Sequence, residues 1–191
     1  MASLLVSEDY SGRVAMPPPG FDVDSVASRV GLDPAETHDD NVLEIAASAP
    51  SGHSPIGLRM VEIATGQIGV CETANNGGIP LTRYVHPFAP GSPGVPWCAF
   101  FVSWCYLQTT GSRPPWNNPG WVQSIYAWAA NNRRLVGTPL RGDMFGLGGN
   151  HIGLVARSLR DRVITVESNT STGCVRSNER PLTGLWFGRP K

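Results

Sequence analysis

Pro96-Trp97-Cys98-Ala99-Phe100-Phe101-Val102-Ser103-Trp104 decides how this chain is read. A Gly/Pro-rich loop over 87–96 leads into the cysteine, and an apolar run long enough for a helix follows it. The run predicts a helix over 97–108, apolar nearly all round and therefore buried, with Gly111 to stop it. Cys98 then falls at or near the helix N-terminus, where unpaired N–H groups and the helix dipole favour a thiolate. Cys105, two turns later, lacks that field and reads as a small core residue.

Working outward, Ser54 and Pro55 read as an N-cap and first helical position. Ile56, Met60, Ile63, Ala64 and Ile68 share one face of the helix that follows. Asn75-Asn76-Gly77-Gly78 is a turn, and a third helix is expected over 121–132. Short, β-rich stretches at 143–147, 152–157 and 163–167 read as strands, with a last one near 185–187. Helices first and an antiparallel sheet second give an α+β class.

The chain has 191 residues, enough for one domain with a real core, and it is 41% hydrophobic and 16% charged. No run approaches the ~18 apolar residues of a membrane span. The first nine residues lack the basic start and apolar centre of a secretory signal. The expectation is a chain made in the cytoplasm, with no membrane insertion. Net charge is zero, but residues 1–55 hold nine Asp/Glu and two Arg, whereas 56–191 hold thirteen Lys/Arg and six Asp/Glu. The basic part suits an anionic partner, a cell-wall polymer or nucleic acid, and equally an ordinary solvated face. Residues 1–55, with Met16-Pro17-Pro18-Pro19-Gly20 as a stiff break and short helices at 24–30 and 40–47, read as an acidic arm. Residues 56–191 form the main domain.

The four cysteines match no zinc spacing. Without a signal peptide disulfides are not the default; a Cys71–Cys174 bridge is the alternative if the protein acts outside a cell.

Thiol chemistry needs an imidazole to move the proton and a group to orient that imidazole. His151 begins one expected strand and Glu167 ends the next. Adjacent antiparallel strands bring two such positions side by side. Pro96-Trp97-Cys98-Ala99 with Phe101-Val102-Ser103-Trp104-Cys105 resembles the nucleophile motif of CHAP domains, the cysteine, histidine-dependent amidohydrolases/peptidases. Gly142-Asp143-Met144-Phe145 and His151-Ile152-Gly153-Leu154-Val155 are similar to that family's Gly-Asp and His-Gly strands. Val166-Glu167-Ser168-Asn169-Thr170 resembles its Glu-Gly-Asn segment, with Ser168 where glycine is common. Gly69-Val70-Cys71-Glu72, Asn75-Asn76-Gly77 and Tyr84 are similar to the region upstream of the nucleophile.

The resemblance covers residues 56–191. It implies a papain-like fold, with the N-terminal helices packed on an antiparallel sheet, and cleavage of an amide bond in bacterial peptidoglycan. It makes Cys98 the nucleophile, His151 the base, Glu167 the orienting group and Asn169 a support, with Trp97 a candidate substrate contact. No metal or cofactor is implied, nor any nucleic-acid partner. The bond cut is the N-acetylmuramoyl-L-alanine linkage or a peptide crosslink. The alternatives are a thiol hydrolase or transferase on another peptide or acyl group, and a non-catalytic wall-peptide-binding module. A phage lysin, a virion-borne lysin and an exported toxin are the settings a signal-less wall enzyme would suit, with 1–55 as a docking arm for a phage or secretion carrier.

Overall fold

The computed structural model describes residues 51–191. The arm expected over 1–55, with its two short helices, lies outside the described residues except for 51–55.

Helix α1 spans Pro55–Thr65 and starts as its sequence predicts: Ser54 Oγ accepts the Gly57 N–H at 3.0 Å, with Pro55 in the first turn. Met60, Val61, Ile63 and Ala64 are buried. A π-helical turn, Leu81–Val85, drives Tyr84 and Val85 into the same core. Helix α2, Cys98–Thr110, ends at Gly111, whose φ of 67° places it in the left-handed region. Its N–H reaches the Leu107 carbonyl at 2.8 Å, closing the helix C-terminus. Helix α2 is buried on almost every side, as its composition demands. Its most deeply buried hydroxyl is satisfied: Ser103 Oγ donates to Pro119 O and accepts from Trp116 Nε1, each at 2.8 Å. Helix α3 spans Val122–Asn131.

Six strands follow: β1 Leu135–Val136, β2 Met144–Leu147, β3 His151–Ser158, β4 Arg162–Glu167, β5 Arg176–Pro181 and β6 Leu185–Gly188. They form one antiparallel sheet in the order β1-β6-β2-β3-β4-β5. Alternation along the strands divides its faces. Ile152, Leu154, Ala156 and Val166 join the cluster built by α1 and α2. Phe145, Val155, Val163 and Phe187 form a smaller cluster of their own. The class is α+β.

Strands β1 and β5 are not among the expected ones. β1 is only two residues long, and β5, Arg-Ser-Asn-Glu-Arg-Pro, has no apolar alternation. β5 is an edge strand, held by its ladder to β4 from Arg162↔Pro181 to Glu167↔Arg176. An edge position tolerates both the polar run and its terminal proline.

Cys71 and Cys174 are joined in a disulfide, the alternative to the free thiols taken as the default. Their segments run antiparallel, with Gly69 N to Val175 O at 2.9 Å and Glu72 N to Gly173 O at 2.8 Å, which sets the two residues opposite each other. The bridge spans 103 residues of sequence. A loop that long loses roughly 4–5 kcal/mol of unfolded-state chain entropy on closure.

The turn before β2 is pressed against α1. Gly142 has φ 89°, and a Cβ there would lie 2.4 Å from the Gly57 carbonyl carbon. Gly142→Ala should therefore destabilise by about 2–5 kcal/mol, from backbone strain plus the clash. Urea unfolding checks this, and an unchanged midpoint would mean the two segments do not touch. The next residue, Asp143, is buried and receives both Arg189 Nε and Nη2 at 2.8 Å. The Gly-Asp pair thus serves the fold.

Candidate active site

The start of α2 is built by its N-cap residue. Trp97 has no exposed surface; its ring stacks on Tyr84 at 5.5 Å and meets Phe101 edge-on. Its Nε1 donates to Glu72 Oε1 at 2.6 Å. Trp97 was expected to be a substrate contact. The burial corrects this: the indole has no face to offer a ligand and instead locks the first turn in place. No side chain caps the helix at Trp97. The first backbone N–H groups, which have no intrahelical acceptor, are left for something else to use.

Cys98 follows at once, 6% exposed, at the wall of a groove of about 460 Å³. Cys105 is wholly buried, and loss of solvation pushes its thiol well above the usual range, so it stays protonated.

His151 opens β3, with the Cys98 thiol near enough to its imidazole to act on its charge. Nε2 meets Glu167 Oε2 at 2.9 Å. Burial alone would lower the His151 pKa; the hydrogen bonds and charge of Cys98 and Glu167 outweigh it and raise it to about 9. The register Gly153↔Glu167 on β3 and β4 puts the pair at one end of the sheet.

Glu167 is completely buried yet well provided for. Besides His151, it accepts Thr165 Oγ1 at 2.6 Å and a two-pronged contact from Arg180 Nε and Nη2. Desolvation would raise its pKa, but the hydrogen bonds from His151, Arg180 and Thr165 dominate and hold it at about 2. Arg180 also lies over the Phe145 ring, 5.8 Å from its centroid.

Asn169 sits elsewhere. It adopts φ 52°, and its Nδ2 donates to Asn76 Oδ1 at 2.9 Å and Glu72 Oε1 at 3.3 Å. Through Glu72 it braces Trp97; it makes no hydrogen bond to His151. The structure therefore brings Cys98, His151 and Glu167 together and sets Asn169 one step away.

Arg180 and Thr165 escape a reading of the sequence. Thr165 was legible in principle, two residues before Glu167 and so on the same face of its strand. Arg180 lies on the unrecognised β5. The groove beside Cys98 is also lined by Phe100, Gln123, Asn150 and Trp121, which is 55% exposed. A recess of about 390 Å³ shares Gln123 and Gly149 with it and contains Tyr126 and Trp186. Among the described residues no group of three His, Cys, Asp or Glu side chains could hold a metal ion. Nor, among them, is any helix long and apolar enough to cross a membrane.

The charges of this cluster make stability depend on pH in two windows. Glu167 has a folded pKa of about 2 against the ordinary 4.5 of a glutamate, so its contribution is complete above 4.5 and is lost as pH falls toward 2. His151 has a folded pKa of about 9 against 6.5, so its contribution is complete below 6.5 and is lost as pH rises to 9. Urea midpoints should fall across both windows. Glu167→Gln should flatten the acidic one, and an unchanged acid limb in that variant would assign it to other carboxylates.

Compared with protein-family models, with curated proteins and with solved structures, the chain matches none.

Proposed function

We propose that this protein is a cysteine-dependent amide hydrolase of papain-like design, acting on bacterial peptidoglycan in the manner of a CHAP domain. The observation that carries the reading is a thiol at an uncapped helix start, beside an imidazole that a buried carboxylate holds at 2.9 Å. His151 takes the proton of the Cys98 thiol as the bond to carbon forms. Cys98 Sγ attacks the carbonyl carbon of the scissile amide, and the uncapped N–H groups at the start of α2 stabilise the oxyanion. His151 delivers its proton to the leaving nitrogen as the C–N bond breaks, leaving a thioester. Water, deprotonated by His151, attacks that thioester; the carboxylic acid departs and Cys98 is regenerated. Glu167 keeps the ring oriented and stabilises its charged form throughout.

The peptidoglycan assignment rests on the motifs around Cys98, His151 and Glu167 and on the basic balance of residues 56–191. The exposed aromatic side chains Trp121 and Tyr126 along the grooves suit a sugar-bearing polymer. The test is mass spectrometry of purified peptidoglycan digested with the wild-type chain and with Cys98→Ala. New amino and carboxyl ends in the wild-type digest alone support the reading and identify the bond. Identical digests refute it.

A further inference from the structure

We propose that the recess beside His151 is a carboxylate subsite, in which Arg176 and Asn178 bind a free carboxylate of the substrate's peptide. The inference rests on the amide-hydrolase reading and names the substrate feature that the site selects.

The recess, about 280 Å³, is lined by His151, Asn169, Arg176, Asn178 and Arg180, with Leu147 among the remaining wall residues and no acidic side chain. The β4–β5 register sets Arg176 opposite Glu167 and Asn178 opposite Thr165. Residues directly opposite on antiparallel strands share a face, with Cβ atoms about 5 Å apart. Gly153 is likewise opposite Glu167, so His151, two residues earlier on β3, belongs to that face too. β5 thus presents 176, 178 and 180 on the face of the sheet that carries His151 and Glu167. It turns Glu179 to the other face, where Glu179 pairs with Arg162 at 3.1 Å.

The charges do not balance here. The single carboxylate of Glu167 is shared between Arg180 and His151. Arg176 adds a further positive charge, is exposed, and has no ion-pair partner among the described residues. Glu72 already uses its oxygens on Trp97, Asn76 and Asn169. A planar guanidinium fork matches a carboxylate. Phosphate would match the fork too, but Asn178, whose Nδ2 donates and whose Oδ1 accepts, and the Asn169 Oδ1, an acceptor, favour a ligand with peptide N–H groups beside its anion.

The test uses the full chain carrying Cys98→Ala, which separates binding from turnover. The probe is the tetrapeptide L-alanyl-γ-D-glutamyl-L-lysyl-D-alanine in three forms: both carboxyls free, the glutamyl α-carboxyl amidated, and the terminal carboxyl amidated. Calorimetric titration should show a loss of about tenfold or more for one amidated form, which names the carboxylate bound. Adding Arg176→Gln should abolish that discrimination without moving the thermal midpoint, and Arg176→Lys should restore part of it. Equal affinity for all three peptides, no binding of any, or discrimination that survives Arg176→Gln overturns the subsite. So does inorganic phosphate competing at concentrations comparable to the peptide. Digestion of peptidoglycan by the wild-type chain is read separately. Carboxylate-dependent binding with no digestion leaves the subsite standing and removes the hydrolase; digestion with no carboxylate preference does the reverse.

Discussion

Cys98→Ala should abolish lysis of sensitised bacteria and leave the fold intact. The side chain is small and sits at the groove wall, so its loss leaves little cavity, while nothing else in the cluster can form the covalent bond. Cys98→Ser should be nearly as inactive, because a hydroxyl beside the same imidazole is a far weaker nucleophile. Cys105→Ala should behave oppositely, costing roughly 1 kcal/mol of stability and little activity, since Cys105 is core. Turbidity loss and urea midpoints for the three variants make the comparison. Iodoacetamide should alkylate Cys98 selectively. Full lysis by Cys98→Ala would falsify the mechanism.

The second large effect belongs to Glu167→Gln. The carboxylate accepts from His151, Thr165 and two nitrogens of Arg180, all of them donors. A carboxamide of the same shape must turn an N–H₂ toward one of those donors and carries no charge to hold the imidazolium. The rate should fall by roughly 10 to 10⁴-fold. Stability should fall by about 2–4 kcal/mol, tempered because Arg180 keeps some access to water. His151→Ala should be at least as damaging to the rate. In the double variant the losses should be far from additive, because the two residues act as one unit. Single-turnover rates for the three variants decide this; additive losses would mean separate roles.

Much of this was legible from local pattern. The Pro96 break, the unbroken apolar run and Gly111 place α2 to within two residues at each end, because steric punctuation and burial all round leave few alternatives. His151 and Glu167 fell at strand ends because β3 and β4 carry dense apolar and β-branched residues. Strand β5 was invisible for the opposite reason: its order comes from a partner strand rather than from any apolar face of its own. With it went Arg180, whose guanidinium contacts both oxygens of Glu167. Trp97 misled because an aromatic beside a nucleophile reads alike whether it faces a ligand or the core. Only the Tyr84 ring and the Glu72 carboxylate, 13 and 25 residues upstream, decide that.

The sheet order has a consequence for how the molecule assembles. β2, β3, β4 and β5 pair in chain order, a meander that can form as it is made. β6 does not extend that meander. It crosses back and inserts between β1 and β2, seating Phe187 opposite Phe145, while Arg189 reaches Asp143. Until residues 185–188 arrive, β2 has an open edge and β1 has no partner at all. The closing contacts span about 40 residues, a loop-closure cost met before any of them forms. β2 is the strand that leads into His151, so the reacting end of the sheet is fixed only at this last insertion. A chain interrupted shortly before Leu185 would lose the keystone of the sheet and expose two raw edges to neighbouring chains.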